Sequence, residues 1–266
     1  MTSTRSPRPR RGGGWRLVAH QVKYEQMAFW SNRFGAVFTV GFSIVFLVFL
    51  GLSAGNSRIS YLGNIRLVVY YVPGFVAYGV MAACFSTLSI ILVVRRETGL
   101  LKRLRLSPLP TWTLLAAIFV STMIVALVQV VLLLLLGRYG YHVSFPASWA
   151  ALLVALGVGI ASFTAMGVAM STMIPNEETA GPATSVVFFV LLFLSGLWFP
   201  LRANSSLAKI SNYFPVRHFI LAVGAPFEAN AHRSAWTWHD LLVVAIWGTV
   251  ATVVALRRFK WAPNRV

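Results

Sequence analysis

Acids, histidines and thiols carry most protein chemistry, and this sequence has few of them. The six acids are Glu25, Glu97, Glu177, Glu178, Glu228 and Asp240, and the five histidines are His20, His142, His218, His232 and His239. None stands near the middle of an apolar run. All fall at run ends or in the polar segments between runs. An ionisable group at bilayer depth costs roughly 2.5 kcal/mol or more and is kept there only for work. The pattern therefore argues against a proton relay, a carboxylate sodium site or a pair of carboxyls for acid and base catalysis. The histidines lack the spacing of a zinc-binding helix and read as interfacial polar residues, so no metal site is expected. Cys84, the one cysteine, lies inside an apolar run without a His or acid in helical reach, and reads as a buried small hydrophobe. No glycine is followed by lysine, which excludes the usual phosphate-cradling loop, and no cofactor is expected on this chain.

The elements that position these residues follow from composition. Of 266 residues 58% are apolar and 11% charged, far from the roughly 25% charged of a soluble domain. Several separate apolar runs reach the roughly twenty residues needed to cross a bilayer as a helix. The expected fold class is an all-α integral membrane protein with six transmembrane helices, at about residues 34–53, 67–94, 112–136, 147–173, 180–199 and 240–256. Residues 1–14, with Pro, Arg, Ser and three consecutive glycines, read as a disordered cytoplasmic tail. Residues 15–33 read as an amphipathic helix with Trp15, Val18, Ala19, Val22 and Phe29 on its apolar face, lying in the interface. No signal peptide is evident. The forty residues after Pro200 hold helical spacings too short to span and read as one or two short re-entrant or interfacial helices, and 257–266 read as a second cytoplasmic tail.

Net charge is +17, but the basic residues cluster between apolar runs as juxtamembrane anchors do, not along a nucleic-acid-binding stripe. With six spans both termini share one side. Placing them in the cytoplasm puts sixteen Lys and Arg inside and seven outside, which obeys the positive-inside rule.

One internal segment is both charged and patterned. In Arg95-Arg96-Glu97-Thr98-Gly99-Leu100-Leu101-Lys102-Arg103-Leu104-Arg105-Leu106, a helix would put Glu97, Leu100, Leu101 and Leu104 on one face and Lys102 and Arg103 on the other. Pro108 and Pro110 would stop it before the third span. Three leucines and an acid could enter a groove on a partner. A basic loop solvated among lipid head groups would have the same composition.

These residues, in this order, resemble the type-2 ATP-binding-cassette exporter permeases, including the drug and glycolipid exporters of actinobacteria. The resemblance covers nearly the whole chain after Trp15. It rests on Tyr71-Val72-Pro73-Gly74 opening the second span, and on Arg96-Glu97 with Gly99, Leu100, Arg103, Leu104 and Pro108-Leu109-Pro110 in the inner loop. It continues with Glu177, Glu178 and Ala180 before the fifth span, and Ser195-Gly196-Leu197-Trp198-Phe199-Pro200 followed by Leu207, Ile210, Phe214-Pro215 and His218. It implies that Arg96, Glu97, Gly99, Leu100, Leu101, Lys102, Arg103, Leu104 and Arg105 form a coupling helix seated on a separate ATPase subunit, which would bind ATP and Mg. It also implies that the N-terminal amphipathic helix is a connecting helix at the inner leaflet. Phe214, Pro215, His218 and Phe219 would belong to a re-entrant pair narrowing the outer end of the pathway. Two permease chains, identical or not, and two ATPase chains would make the working unit in the plasma (inner) membrane.

For the pathway, the polar residues of spans one, two and five are candidates: Thr39, Ser43, Ser86, Thr87, Ser89 and Ser195. Such side chains also commonly back-bond to their own helix or join helices. The expected function is export of a hydrophobic or amphiphilic substrate, a drug or a lipid, without covalent chemistry on this chain. Export of a glycan or lipid-linked polysaccharide by the same architecture is the alternative. A polytopic membrane enzyme is a second, and would need catalytic groups that the spans do not supply.

Overall fold

The computed structural model describes residues 14–59, 65–99, 111–201, 205–228 and 234–258. Within them six helices are long and apolar enough to cross a membrane. Helix α1 (Gly14–Ser31) precedes them. The candidate spans are α2 (Arg33–Ala54), α3 (Leu67–Glu97), α4 (Thr111–Leu135, continued by Leu136–Gly140), α5 (Trp149–Met173), α6 (Glu177–Ser195) and α9 (Trp238–Arg258). Two short helices, α7 (Ser206–Ser211) and α8 (Pro215–Glu228), separate α6 from α9. Between α2 and α3 the chain pairs Arg58 with Arg66 and Ile59 with Ile65 in a two-stranded antiparallel ribbon.

The apolar pattern sets the architecture. Helix α3 is apolar on every side, and a helix of that kind belongs in the middle of a bundle. Val72, Phe75, Val76, Val80, Met81 and Cys84 are all fully or almost fully buried along it. Its 31 residues span about 46 Å at 1.5 Å per residue, well beyond the roughly 30 Å hydrocarbon layer, so its last turn projects past the apolar belt. Helices α2, α6 and α9 are peripheral and expose Phe38, Phe49, Phe189, Phe193 and Ile246.

Three spans contain a wider π turn, at Val37–Gly41, Ala82–Thr87 and Leu136–Gly140. Each rotates the faces of its helix relative to a regular α repeat. At the second, α5 approaches closely: a methyl at Gly167 would sit 2.5 Å from the Cys84 carbonyl oxygen. Only a residue without a side chain fits there. The Ser89 hydroxyl then donates to the Gly167 carbonyl over 2.8 Å and staples α3 to α5. On the opposite flank of α5, Ala169 meets Ala251 and Ala255 of α9 in a seam of small side chains.

Helix α1 packs along α4 rather than turning its whole apolar face outward. Val18 is buried, while Trp15 and Ala19, expected on the same face, are exposed. The reason is polar: Glu25 and Gln26 have partners on the bundle, so the helix is rotated to bring them inward. The Gln26 amide donates to the Ser121 carbonyl and to the Ser121 hydroxyl, each over 2.8 Å.

Helix ends differ from the apolar runs for equally local reasons. Helix α3 carries three charged residues beyond Val94 because each is satisfied where it lies. Helix α6 starts at Glu177 because the Asn176 side chain caps it, accepting from the Thr179 N–H over 3.0 Å. It stops at Ser195 because Gly196 takes a left-handed φ of 81°.

Candidate functional site

At the end of α3 three elements converge on Arg95, Arg96 and Glu97. Arg95 forks onto Glu25 of α1, with Nη1 donating to Oε1 over 2.8 Å and Nη2 to Oε2. This bidentate pair matches the planar guanidinium to both carboxylate oxygens. Arg96 is 4% exposed and turns the other way, onto the end of α5. Its Nη1 donates to the Ser171 carbonyl over 3.0 Å, and its Nη2 to those of Ile174 and Pro175 over 2.7 and 3.2 Å. The last carbonyls of a helix lack donors and carry partial negative charge, so a buried cation is stabilised there. The Arg96 Nε donates to Glu97 Oε1 over 2.9 Å, which compensates the buried charge. One short stretch of α3 is thereby tied to α1 and to the α5–α6 turn, where Glu177 and Glu178 occupy the first turn of α6.

Immediately after this node the helix ends. The Thr98 N–H bonds the Val94 carbonyl, the Gly99 N–H bonds that of Arg96, and Gly99 has φ +71°. A left-handed glycine is a helix stop. Glu97 is therefore the last residue of α3 and is paired with Arg96. Leu100, Leu101, Lys102, Arg103, Leu104 and Arg105 lie outside the described residues.

The polar residues proposed for a pathway divide. Ser43 is fully buried; it donates to the Val40 carbonyl and accepts from the Gln129 amide over 2.6 Å. Ser89 staples α3 to α5 as above. Ser195, 3% exposed, donates to the Leu192 carbonyl and accepts from the Leu197 N–H. These three are turned into the bundle and join or cap helices. Thr39, Ser86 and Thr87 are half-buried, the last two in the π turn of α3. Gln129 escaped notice in the sequence because a single amide in an apolar run carries no pattern. It is fully buried, and its amide also donates to the Thr39 carbonyl over 3.2 Å.

At the opposite end of the bundle, α7 and α8 pack over α6 and α9. Phe214 stacks on Trp247, Pro215 is buried at the first position of α8, and the fully buried Phe219 ring lies against Gly159 and Phe163 of α5. His218, 4% exposed, meets Asp240 at the start of α9 over 2.6 Å.

Five apolar helices thus surround a buried second span, with a charged node at one end and two short helices at the other, and the chain matches a known family. The model for "ABC-2 family transporter protein" matches residues 56–257. The chain belongs to the ABC-2 transporter family. Among curated relatives, a putative transport permease of Bacillus subtilis (strain 168), YvfS, is 23% identical over 177 residues, covering 66% of this chain and 70% of the relative. A probable multidrug ABC transporter permease of Escherichia coli (strain K12), YbhR, is 24% identical over 199 residues, covering 73% of this chain and 54% of the relative. The match therefore spans little more than half of the E. coli protein. The matched region of this ABC-2 permease begins after α2 and includes Arg95, Arg96, Glu97, the α5–α6 turn and both short helices. Helix α1, with Glu25, precedes it. Membership implies a multi-pass membrane protein that works with an ATP-binding subunit, since permeases of this kind have no ATPase site of their own.

Proposed function

We propose that this permease forms the export path for a hydrophobic or amphiphilic substrate and takes its driving force from a separate ATPase docked at residues 100–106. The observation that carries the reading is the Arg96 node. A guanidinium buried against one carbonyl of the last turn of α5 and two of the turn that follows ties the last turn of α3 to α5. A push on the segment that follows Gly99 would reach the bundle through that tie, and through Arg95 it would reach α1. Conformational change of this kind needs packed elements that move as units, because closely packed interiors shift between discrete arrangements. The excess of Lys and Arg on this side supports a cytoplasmic position for the node, where ATP is available. The multidrug description of the E. coli relative favours a drug-like or lipid-like substrate. Two permease chains, alike or different, and two ATPase chains would complete the transporter.

The test is co-purification in detergent with a co-expressed candidate ATP-binding subunit. Recovery with wild type, and its loss in Leu101→Arg/Leu104→Arg protein that still elutes as a single species, is the expected result. Equal recovery with the double variant would place docking elsewhere. Substrate class is read separately, as ATP-dependent accumulation of a lipophilic dye in everted vesicles.

A further inference from the structure

Away from the charged node, His218 of α8, with His239 and Asp240 of α9, forms a cluster that the transport reading does not use. The His218 Nε2 is 2.9 Å from the Asn212 carbonyl oxygen. A carbonyl can only accept, so this nitrogen carries the proton. In the neutral ring the lone pair then sits on Nδ1, which faces Asp240 Oδ1 across 2.6 Å. An imidazole lone pair and an ionised carboxylate are both acceptors and need a cation between them, either a proton or a metal ion. A histidine whose second nitrogen donates to a backbone carbonyl is the usual form of a metal-ligating imidazole, because that bond fixes tautomer and ring orientation.

His239 offers a third donor atom. Its Nδ1 lies 3.9 Å from the same Asp240 oxygen, and the two imidazole rings are 5.4 Å apart. One donor atom from each of the three residues falls within 4.8 Å of the others. Bonds of about 2.0–2.1 Å to tetrahedral zinc separate the ligand atoms by about 3.4 Å. The 2.6 Å pair must open and the 3.9 Å pair close by small movements. The His239 side chain is 81% exposed and free to make them. Asp240 also borders a cavity of about 260 Å³ together with Tyr70, Glu228 and Thr237, and the exposed His239 leaves the cluster open to water for a fourth ligand.

We propose that His218, His239 and Asp240 bind a divalent transition-metal ion of the zinc class. Two imidazoles and one carboxylate suit zinc and its neighbours and not magnesium or calcium, which prefer all-oxygen sites. The bound ion would clamp α8 to the start of α9.

The test uses the purified chain in detergent, isolated without a histidine tag and stripped with chelator. Equilibrium dialysis at fixed pH is expected to show one Zn²⁺ per chain, no competition by millimolar Mg²⁺, and a visible absorption band when Co²⁺ is the probe. Thermal unfolding should shift upward with Zn²⁺. His239→Ala changes an exposed side chain and Asp240→Asn keeps shape, so both proteins are expected to fold, which a single elution peak checks. Each is expected to weaken Zn²⁺ binding at least tenfold and abolish the thermal shift, while His142→Ala leaves both unchanged. Absence of stoichiometric binding in wild type, or binding within twofold of wild type in either His239→Ala or Asp240→Asn, overturns the proposal.

Discussion

Arg96 is the residue on which the charged end of the bundle is organised, and its worth can be argued from its partners. Replacing it by alanine leaves the Ser171, Ile174 and Pro175 carbonyls without their donor and strips Glu97 of its counter-charge. A buried polar group left unpaired costs about 1–3 kcal/mol. Glu97, with a side chain 17% exposed, recovers some of its loss from water. The net expectation for Arg96→Ala is therefore about 1–3 kcal/mol of destabilisation, read as a lower midpoint in thermal unfolding of the detergent-solubilised chain. Arg96→Lys should fall between the two proteins, since an ammonium retains the charge but cannot span three carbonyls and a carboxylate as the guanidinium fork does. An Arg96→Ala chain that melts with wild type would show that the node is solvated and carries no load. The importance of Arg96 was visible in the sequence only as one of five basic residues in a short segment. Its direction was not, because its acceptors are backbone carbonyls some 75 to 79 positions along the chain, and carbonyls leave no trace in side-chain pattern.

Among the elements, the contact of α3 with α5 is set by what is missing at Gly167. A methyl there would meet the Cys84 carbonyl oxygen at 2.5 Å and the Phe85 carbonyl oxygen at 3.0 Å, both backbone atoms that cannot rotate away. Gly167→Val should therefore force the two helices apart, break the bond from Ser89 and cost about 1–3 kcal/mol as overpacking, seen as a lower yield of folded protein and a lower unfolding midpoint. Gly157, on the same helix, has nothing within 4 Å of its would-be methyl. Gly157→Ala should be neutral or stabilise by up to about 1 kcal/mol through helix propensity alone. If the two variants behaved alike, close approach at Gly167 would not be what holds these spans together. Both glycines look the same in the sequence, as small residues in an apolar run. What separates them is the π turn at Ala82–Thr87, which presents α3 backbone to α5 and has no composition of its own. Span number and approximate ends were legible because hydropathy over twenty residues sums many weak signals into a strong one. Which serine joins which helix was not, because Ser43, Ser89 and Ser195 take their roles from neighbours distant in sequence or from helix ends.

For the whole molecule, the choice between two orientations reduces to charge. Six spans put both termini on one side, together with the Arg95–Glu97 node and the α5–α6 turn, and α7 and α8 on the other. Inserting the chain with its termini outside would leave seven Lys and Arg in the cytoplasm and sixteen outside, the reverse of what membrane insertion selects. Cysteine chemistry can decide it, because the only native cysteine, Cys84, is completely buried and silent to water-borne reagents. A single cysteine at Tyr213, which is 78% exposed beside α7, should react with a membrane-impermeant maleimide in intact cells. One at Glu178, exposed in the first turn of α6, should react only after permeabilisation, and so should one at Ser3. Labelling of Glu178→Cys but not Tyr213→Cys in intact cells would invert the molecule. The Arg96 node would then face away from ATP and could not take its force from a cytoplasmic ATPase, whereas the His218, His239 and Asp240 cluster would keep its geometry and meet the cytoplasmic metal pool instead. The two proposals thus separate under one measurement: coupling depends on which way the bundle is threaded, and metal binding does not.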